Sequence, residues 1–300
     1  MMKQVLGCLL AAGLTVVIAA CGHNPQQTTT ANGEPASYAL AKRIDNITFT
    51  PDSWPEALQA DLWLPERADP APVVMLVHGG GWYRRDRSDM DSIAEKLVEA
   101  GFAAFNVSYR FAPTHTFPAQ LDDLMQAKRW LHQHSGAYQL QGDRISAWGY
   151  SAGAQLVALM ASVNSSVELK PGQRPIRHQD QPKVIAVVAG GIPSDLRRYP
   201  QSPLVNDFLG GTGSELPAVY EQASPMAQIS ADDAAVFLYH GEKDFLVDVT
   251  QATDYHEALK AAGLETELYL HPWREHNTMF IFANEAERKA INFLRKQHAR

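Results

Sequence analysis

Ile145-Ser146-Ala147-Trp148-Gly149-Tyr150-Ser151-Ala152-Gly153 passes from an apolar run into a serine set between two glycines, and residues 154–163 continue with mostly apolar side chains. This reads as a buried strand, a tight turn and a helix over Ala152–Val163. The turn is so sharp that its flanking positions must lack side chains, and the serine is held with its hydroxyl exposed. A helix beginning at Ala152 would point backbone N–H groups and the positive end of its dipole at any charge developing there.

Outward from this turn, short apolar runs alternate with amphipathic ones. Ile44–Phe49, Leu58–Leu64, Val73–Val77, Ala103–Val107, Val184–Ala189, Val236–Tyr239 and Glu267–Leu270 read as strands. Met90–Ala100, Ala119–His134, Val249–Ala262 and Ala286–His298 read as helices. Such alternation predicts an α/β fold, a mostly parallel central sheet with helices on both faces. Residues at about 192–230 break the rhythm with several prolines and glycines. They read as a small insertion over the C-terminal edge of the sheet, too polar for an apolar lid.

An activated serine needs a base, and the base needs a group to orient it. His78-Gly79-Gly80-Gly81-Trp82 directly follows the strand Val73–Val77. Consecutive glycines let a backbone turn its N–H groups inward, as required to stabilise an oxyanion about 3 Å away. The N–H groups of Gly80, Gly81 and Ala152 are assigned to that hole, with His78 as a structural prop of the loop. The run lacks the Lys-Ser/Thr of a phosphate loop. Asp244 follows the strand Val236–Tyr239, at the end where ligand chemistry gathers in such sheets, and is the expected acid. Asp248 is explained as a helix N-cap, in a capping box with Gln251, and His240 as a strand-end structural residue. After the last strand, His276 is expected in a loop beside Ser151 as the base, with His271 as its alternative. His132 and His134 lie two apart on a helical pattern and make a poor metal pair. Trp82 and Tyr83 line the substrate mouth or pack on the loop, and the charged stretch Arg84–Asp89 is a solvated loop near the site. No metal and no organic cofactor is expected.

The 300-residue chain has a formal charge of -7 and no long Lys/Arg cluster, which argues against nucleic acid as a partner. Residues 1–20 carry Lys3 and then an apolar run too short for a stable spanning helix, the pattern of a secretory signal. Ile18-Ala19-Ala20-Cys21 resembles the lipobox of bacterial lipoproteins, which implies lipidation at Cys21, a membrane anchor and a cell-envelope location. Cys8 would leave with the signal, so cysteine chemistry is not expected. Residues 21–40 are polar and turn-rich and read as a flexible tether, and 41–300 as one catalytic domain.

Residues 41–300 resemble the esterase/lipase branch of the α/β-hydrolases, close to the hormone-sensitive-lipase-like and bacterial carboxylesterase families. The likeness rests on His78–Trp82, Ser108-Tyr109-Arg110-Phe111-Ala112-Pro113, Phe117-Pro118-Ala119, Gly149–Gly153, His240-Gly241 with Asp244, and His276 with Phe280. The order Ser, Asp, His along the chain is the order of that fold. The family usually has Leu at the position of Phe111 and often a small residue at that of Glu275. The resemblance implies hydrolysis of a small-molecule carboxylic ester, short-chain or an acylated sugar, through Ser151, His276 and Asp244. The same triad would serve an amidase or arylformamidase, and a lipoprotein that keeps the fold only for binding is the reading outside enzymes.

Overall fold

The computed structural model describes residues 37–162 and 183–300. The signal, the lipobox with Cys21 and nearly all of the tether lie outside these residues. Eight strands form one sheet: β1 (Leu40–Thr48), β2 (Gln59–Pro65), β3 (Ala71–Val77), β4 (Ala103–Val107), β5 (Leu140–Tyr150), β6 (Val184–Gly190), β7 (Ala235–Gly241) and β8 (Thr266–His271). Their spatial order is β1-β2-β4-β3-β5-β6-β7-β8. β2 pairs antiparallel with β1 and β4, and every other pairing is parallel. This is the α/β-hydrolase fold.

A parallel sheet covered on both faces needs strands that are apolar throughout, and β3 is buried at every position. Its side chains alternate between two cores. Val73, Met75 and Val77 join one with α2 (Ala119–His134), α3 (Ala152–Ser162) and α6 (Thr250–Ala261). Val74 and Leu76 join the other with α1 (Asp91–Glu99) and α8 (Asn284–His298). Helix α2 occupies the expected residues 119–134, and the remaining expected strands and helices are present with ends shifted by a few residues.

The main departure is the insertion. It contains α4 (Pro203–Leu209) and α5 (Pro217–Gln222), each with proline in its first turn, and α4 is closed by Gly210 in a left-handed conformation. Leu196, Val205, Phe208, Leu209 and Tyr220 are buried, so a segment polar by composition turns its apolar residues inward.

The stretch Ser108–Pro113 supports the loop after β3. The Tyr109 hydroxyl donates to the carbonyl oxygens of His78 and Gly79, at 3.1 and 3.3 Å. Arg110 makes a buried ion pair with Asp123 of α2 at 2.7 Å, and its backbone N–H donates to the same carboxylate. Removing one partner of such a pair costs about 3–5 kcal/mol, because the other charge is left buried.

Candidate active site

Ser151 sits between β5 and α3 at φ +55°, a strained backbone conformation for a residue with a side chain. The closeness of the crossing elements explains the flanking glycines. A Cβ on Gly149 would lie 2.3 Å from the Gly153 carbonyl oxygen, and one on Gly153 would lie 2.2 Å from that of Val77. The Ser151 N–H donates to the Gly190 carbonyl at 2.8 Å, which ties the turn to β6.

The loop after β3 runs through three successive positive φ values, at Gly80, Gly81 and Trp82. Trp82 is held there by its surroundings. Its ring stacks on Phe208 of the insertion at 4.3 Å, and its Nε1–H donates to Gln155 Oε1 at 3.0 Å. The Gln155 amide N–H in turn donates to the Ala223 carbonyl, so one side chain joins the loop, α3 and the insertion. Among the described residues no acceptor meets the N–H of Gly80, Gly81 or Ala152. His78 is buried behind the loop, donating from Nδ1 to the Gly79 carbonyl at 2.7 Å and stacking on Tyr109. Burial pushes its pKa down. It is a prop of the loop, as expected.

Asp244 and His276 are brought together. The His276 Nδ1–H donates to Asp244 Oδ2 at 2.6 Å, and both residues are buried. Asp244 Oδ1 accepts the N–H groups of Leu246 and Val247 at 2.9 and 2.8 Å. Burial alone would raise the pKa of this carboxyl, but hydrogen bonds from His240, His276 and the Val247 backbone outweigh it and hold the carboxyl well below the usual range. Asp248 is exposed, and its carboxylate accepts from the N–H and the hydroxyl of Thr250. The expected capping box is not formed, because the Gln251 side chain turns into the insertion. There it accepts from the Asp195 N–H and donates to the Asp195 carbonyl.

His276 does not lie in a loop. It is the first residue of α7 (His276–Ile281). Glu275 is the N-cap, its side chain accepting from the Thr278 N–H while the Thr278 hydroxyl accepts from the Glu275 N–H. Glu275 therefore starts a short helix that orients the imidazole. His271 ends β8 and is not at the site. Tyr150, unremarked in the sequence, donates its hydroxyl to the His276 carbonyl at 2.5 Å. The second position of the serine motif tolerates many residues, so nothing in the pattern marked it.

Ser151 and His276 line one cavity of about 400 Å³. His276 Nε2 is buried without a hydrogen-bond partner, and no bond joins it to the Ser151 hydroxyl. Resting enzymes often show this gap, which closes around substrate. Leu196, Leu204 and Val205 from the insertion form an apolar wall, and Tyr83, Arg84, Arg85 and Asp89 form a polar one. Arg87 of the charged stretch is partly buried and pairs with Asp61 of β2 at 2.9 Å. Trp82 is packed, whereas Tyr83 is exposed at the mouth.

The BD-FAE family model matches residues 60–259. The esterase LipQ of Mycobacterium tuberculosis is 27% identical over 257 residues, covering 83% of this chain and 60% of LipQ. A probable carboxylic ester hydrolase of the same organism, LipM, is 28% identical over 230 residues, covering 74% of this chain and 52% of LipM. The chain thus spans little more than half the length of these relatives. Among solved structures, a truncated carbohydrate esterase from gut microbiota superposes with a TM-score of 0.77 at 21% identity. That match covers 87% of this chain and 98% of the other, and it shows a shared fold.

Proposed function

The chain belongs to the BD-FAE family, and on that premise we propose that it hydrolyses carboxylic esters with Ser151 as nucleophile, His276 as base and Asp244 as the acid that orients it. The observation that carries this reading is the buried Asp244–His276 hydrogen bond, which leaves Nε2 of His276 without a partner in a residue that lines the same cavity as Ser151. Since Nδ1 donates to the carboxylate, Nε2 is the acceptor that a general base needs.

Ser151 Oγ attacks the ester carbonyl as its proton passes to His276 Nε2. The carbonyl oxygen becomes an oxyanion within reach of the N–H groups of Gly80, Gly81 and Ala152, which have no other partner to give up. Collapse expels the alcohol, which takes the proton from His276, and leaves an acyl-serine. Water, deprotonated by His276, then attacks the acyl-serine and releases the acid. The positive end of α3 and the ionised Asp244 favour the oxyanion and the imidazolium in turn.

The acyl group is short or belongs to an acylated sugar. Support comes from the size of the cavity. The test is a fluorophosphonate probe, which phosphonylates only an activated serine. Digestion and mass spectrometry should find the adduct on the peptide carrying Ser151. An unlabelled protein that also leaves acetate and butyrate esters intact would overturn the reading.

We also propose lipidation at Cys21, with the catalytic domain held at the cell envelope, from the likeness of Ile18–Cys21 to a lipobox. The pathway such a lipobox serves attaches more than one acyl chain, and anchoring by several chains is effectively permanent at about 0.8 kcal/mol per buried CH₂. Expressed in bacteria with its signal, the wild type should take up labelled fatty acid and pellet with membranes, and Cys21→Ser should do neither. Soluble, unlabelled wild type would remove the anchor and leave the esterase reading intact.

A further inference from the structure

His240 ends β7, is fully buried, and plays no part in the chemistry written above. A buried imidazole needs partners. Its Nε2 lies 2.8 Å from the Val247 carbonyl oxygen and 3.1 Å from Asp244 Oδ2. Both neighbours are acceptors, so Nε2 carries the proton; its hydrogen bond runs to Val247, with Asp244 Oδ2 the second oxygen beside it. Its Nδ1 is buried without a partner. The oxygen that receives the His276 Nδ1–H therefore also has the Nε2 of a second histidine beside it, in ion-pair range.

We propose that His240 is a positioning residue of the reaction, an inference that rests on the triad reading. Its Nε2–H faces Asp244 Oδ2, fixing the carboxylate against His276 and drawing off part of its charge. Its second contact, to Val247, closes the loop that carries Asp244 onto β7. The backbone N–H groups of Leu246 and Val247 fix the other oxygen. The carboxylate is thereby held on both oxygens from its own strand and loop, and His276 docks against a preset partner.

A carboxylate stripped of one donor is more basic and holds the neighbouring imidazolium more tightly. The base would then keep its proton to higher pH. The other ionisable groups facing Asp244 are Tyr150 of β5 and Tyr199 of the insertion. Burial raises the pKa of both phenols, so neither changes charge as the base titrates. Asp248 lies farther along the loop, exposed, and its pKa is held down by Thr250. A displaced acid limb in the activity profile would thus report on the His240 contact.

The experiment compares His240→Leu, which cannot donate, with His240→Gln, whose amide N–H can take the place of Nε2–H. For p-nitrophenyl acetate, His240→Leu should lower kcat about 10-fold or more with KM little changed. The acid limb of its pH profile should move up by roughly 0.5–1 unit. His240→Gln should return both toward wild type. An acid limb that stays in place in His240→Leu, or a His240→Gln protein as impaired as the leucine variant, would overturn the proposal. Should neither variant fold, ¹⁵N-histidine NMR of the wild type decides: His240 must be the Nε2–H tautomer with its proton shifted downfield, and an Nδ1–H form sinks the idea. Wild type that cleaves no ester and takes no fluorophosphonate label would instead remove the triad reading itself.

Discussion

Ser151→Ala is expected to lower kcat for ester hydrolysis by about 10⁶-fold, the loss typical of removing a triad nucleophile. The protein should otherwise hardly notice the change. Among the described residues the Ser151 hydroxyl makes no hydrogen bond, so its removal strands no partner. Alanine carries the same Cβ as serine, so the strain at φ +55° is neither relieved nor increased. The melting temperature and far-UV spectrum should match wild type, with a stability change within about 0.5 kcal/mol. Initial rates on a soluble acetate ester, measured beside a thermal melt, check both halves. A variant that retains a tenth of the wild-type rate would exclude Ser151 as nucleophile.

Asp244→Asn should cost about 10⁴-fold in kcat, for a different reason. Asparagine can still accept the N–H groups of Leu246 and Val247 with its oxygen. Its amide then faces His276 and His240 with a donor where the carboxylate had an acceptor. His276 must present a bare Nδ1 to it, which places the proton on Nε2 and leaves nothing to accept the serine proton. The folded state suffers as well. Because the pKa of Asp244 is depressed by folding, ionisation contributes stability at pH values above the unfolded pKa, and this is lost as pH falls through the folded pKa. The asparagine variant should lose that contribution at neutral pH and become less sensitive to acid. Asp248→Ala is the comparison, since its carboxylate accepts from Thr250 and its loss should cost about 1 kcal/mol or less with kcat unchanged. Should Asp248→Ala be the inactive protein and Asp244→Asn the active one, the acid is misassigned.

These two residues also mark how far the sequence could be read. Ser151 was legible because its motif is local: strand, two glycines and helix lie within one stretch, and each obeys a rule of backbone geometry. The glycines at 79–81 were legible for the same reason. Asp244 was separable from Asp248 by position after a strand, although the structural role given to Asp248 was partly wrong. The Gln251 side chain, expected to close a cap, is taken by the insertion from far along the chain. The helix that begins at His276 was missed because six residues give too little periodicity to detect, and its cap uses Glu275 and Thr278 in the reverse of the usual order. The prolines and glycine that bound α4 were signals of a helix, outweighed there by the broken rhythm. Tyr150 was visible as a residue but not as a partner, since its bond to His276 crosses between elements that only the fold brings together. His240 lies only four residues from Asp244, but the course of the intervening turn decides that they meet.

The stack of Trp82 on Phe208, together with the two hydrogen bonds of Gln155, has a bearing on how such a protein can diverge. An insertion beside an active site is usually imagined as the exchangeable part, free to vary while the chemistry stays constant. Here its inner helix holds the tryptophan that keeps the glycine loop in its left-handed course, and Leu204 closes against Gly81. A graft of this segment from a distant relative would therefore import a new cavity wall and unseat the N–H groups proposed as oxyanion donors in the same step. Changes within this segment are confined to those that keep an aromatic ring at 208 and the backbone carbonyl of residue 223 within reach of Gln155. Tyr83 and Arg84, which line the same cavity from exposed positions, carry no such contact to the insertion's buried helix among the described residues and are the freer places for change.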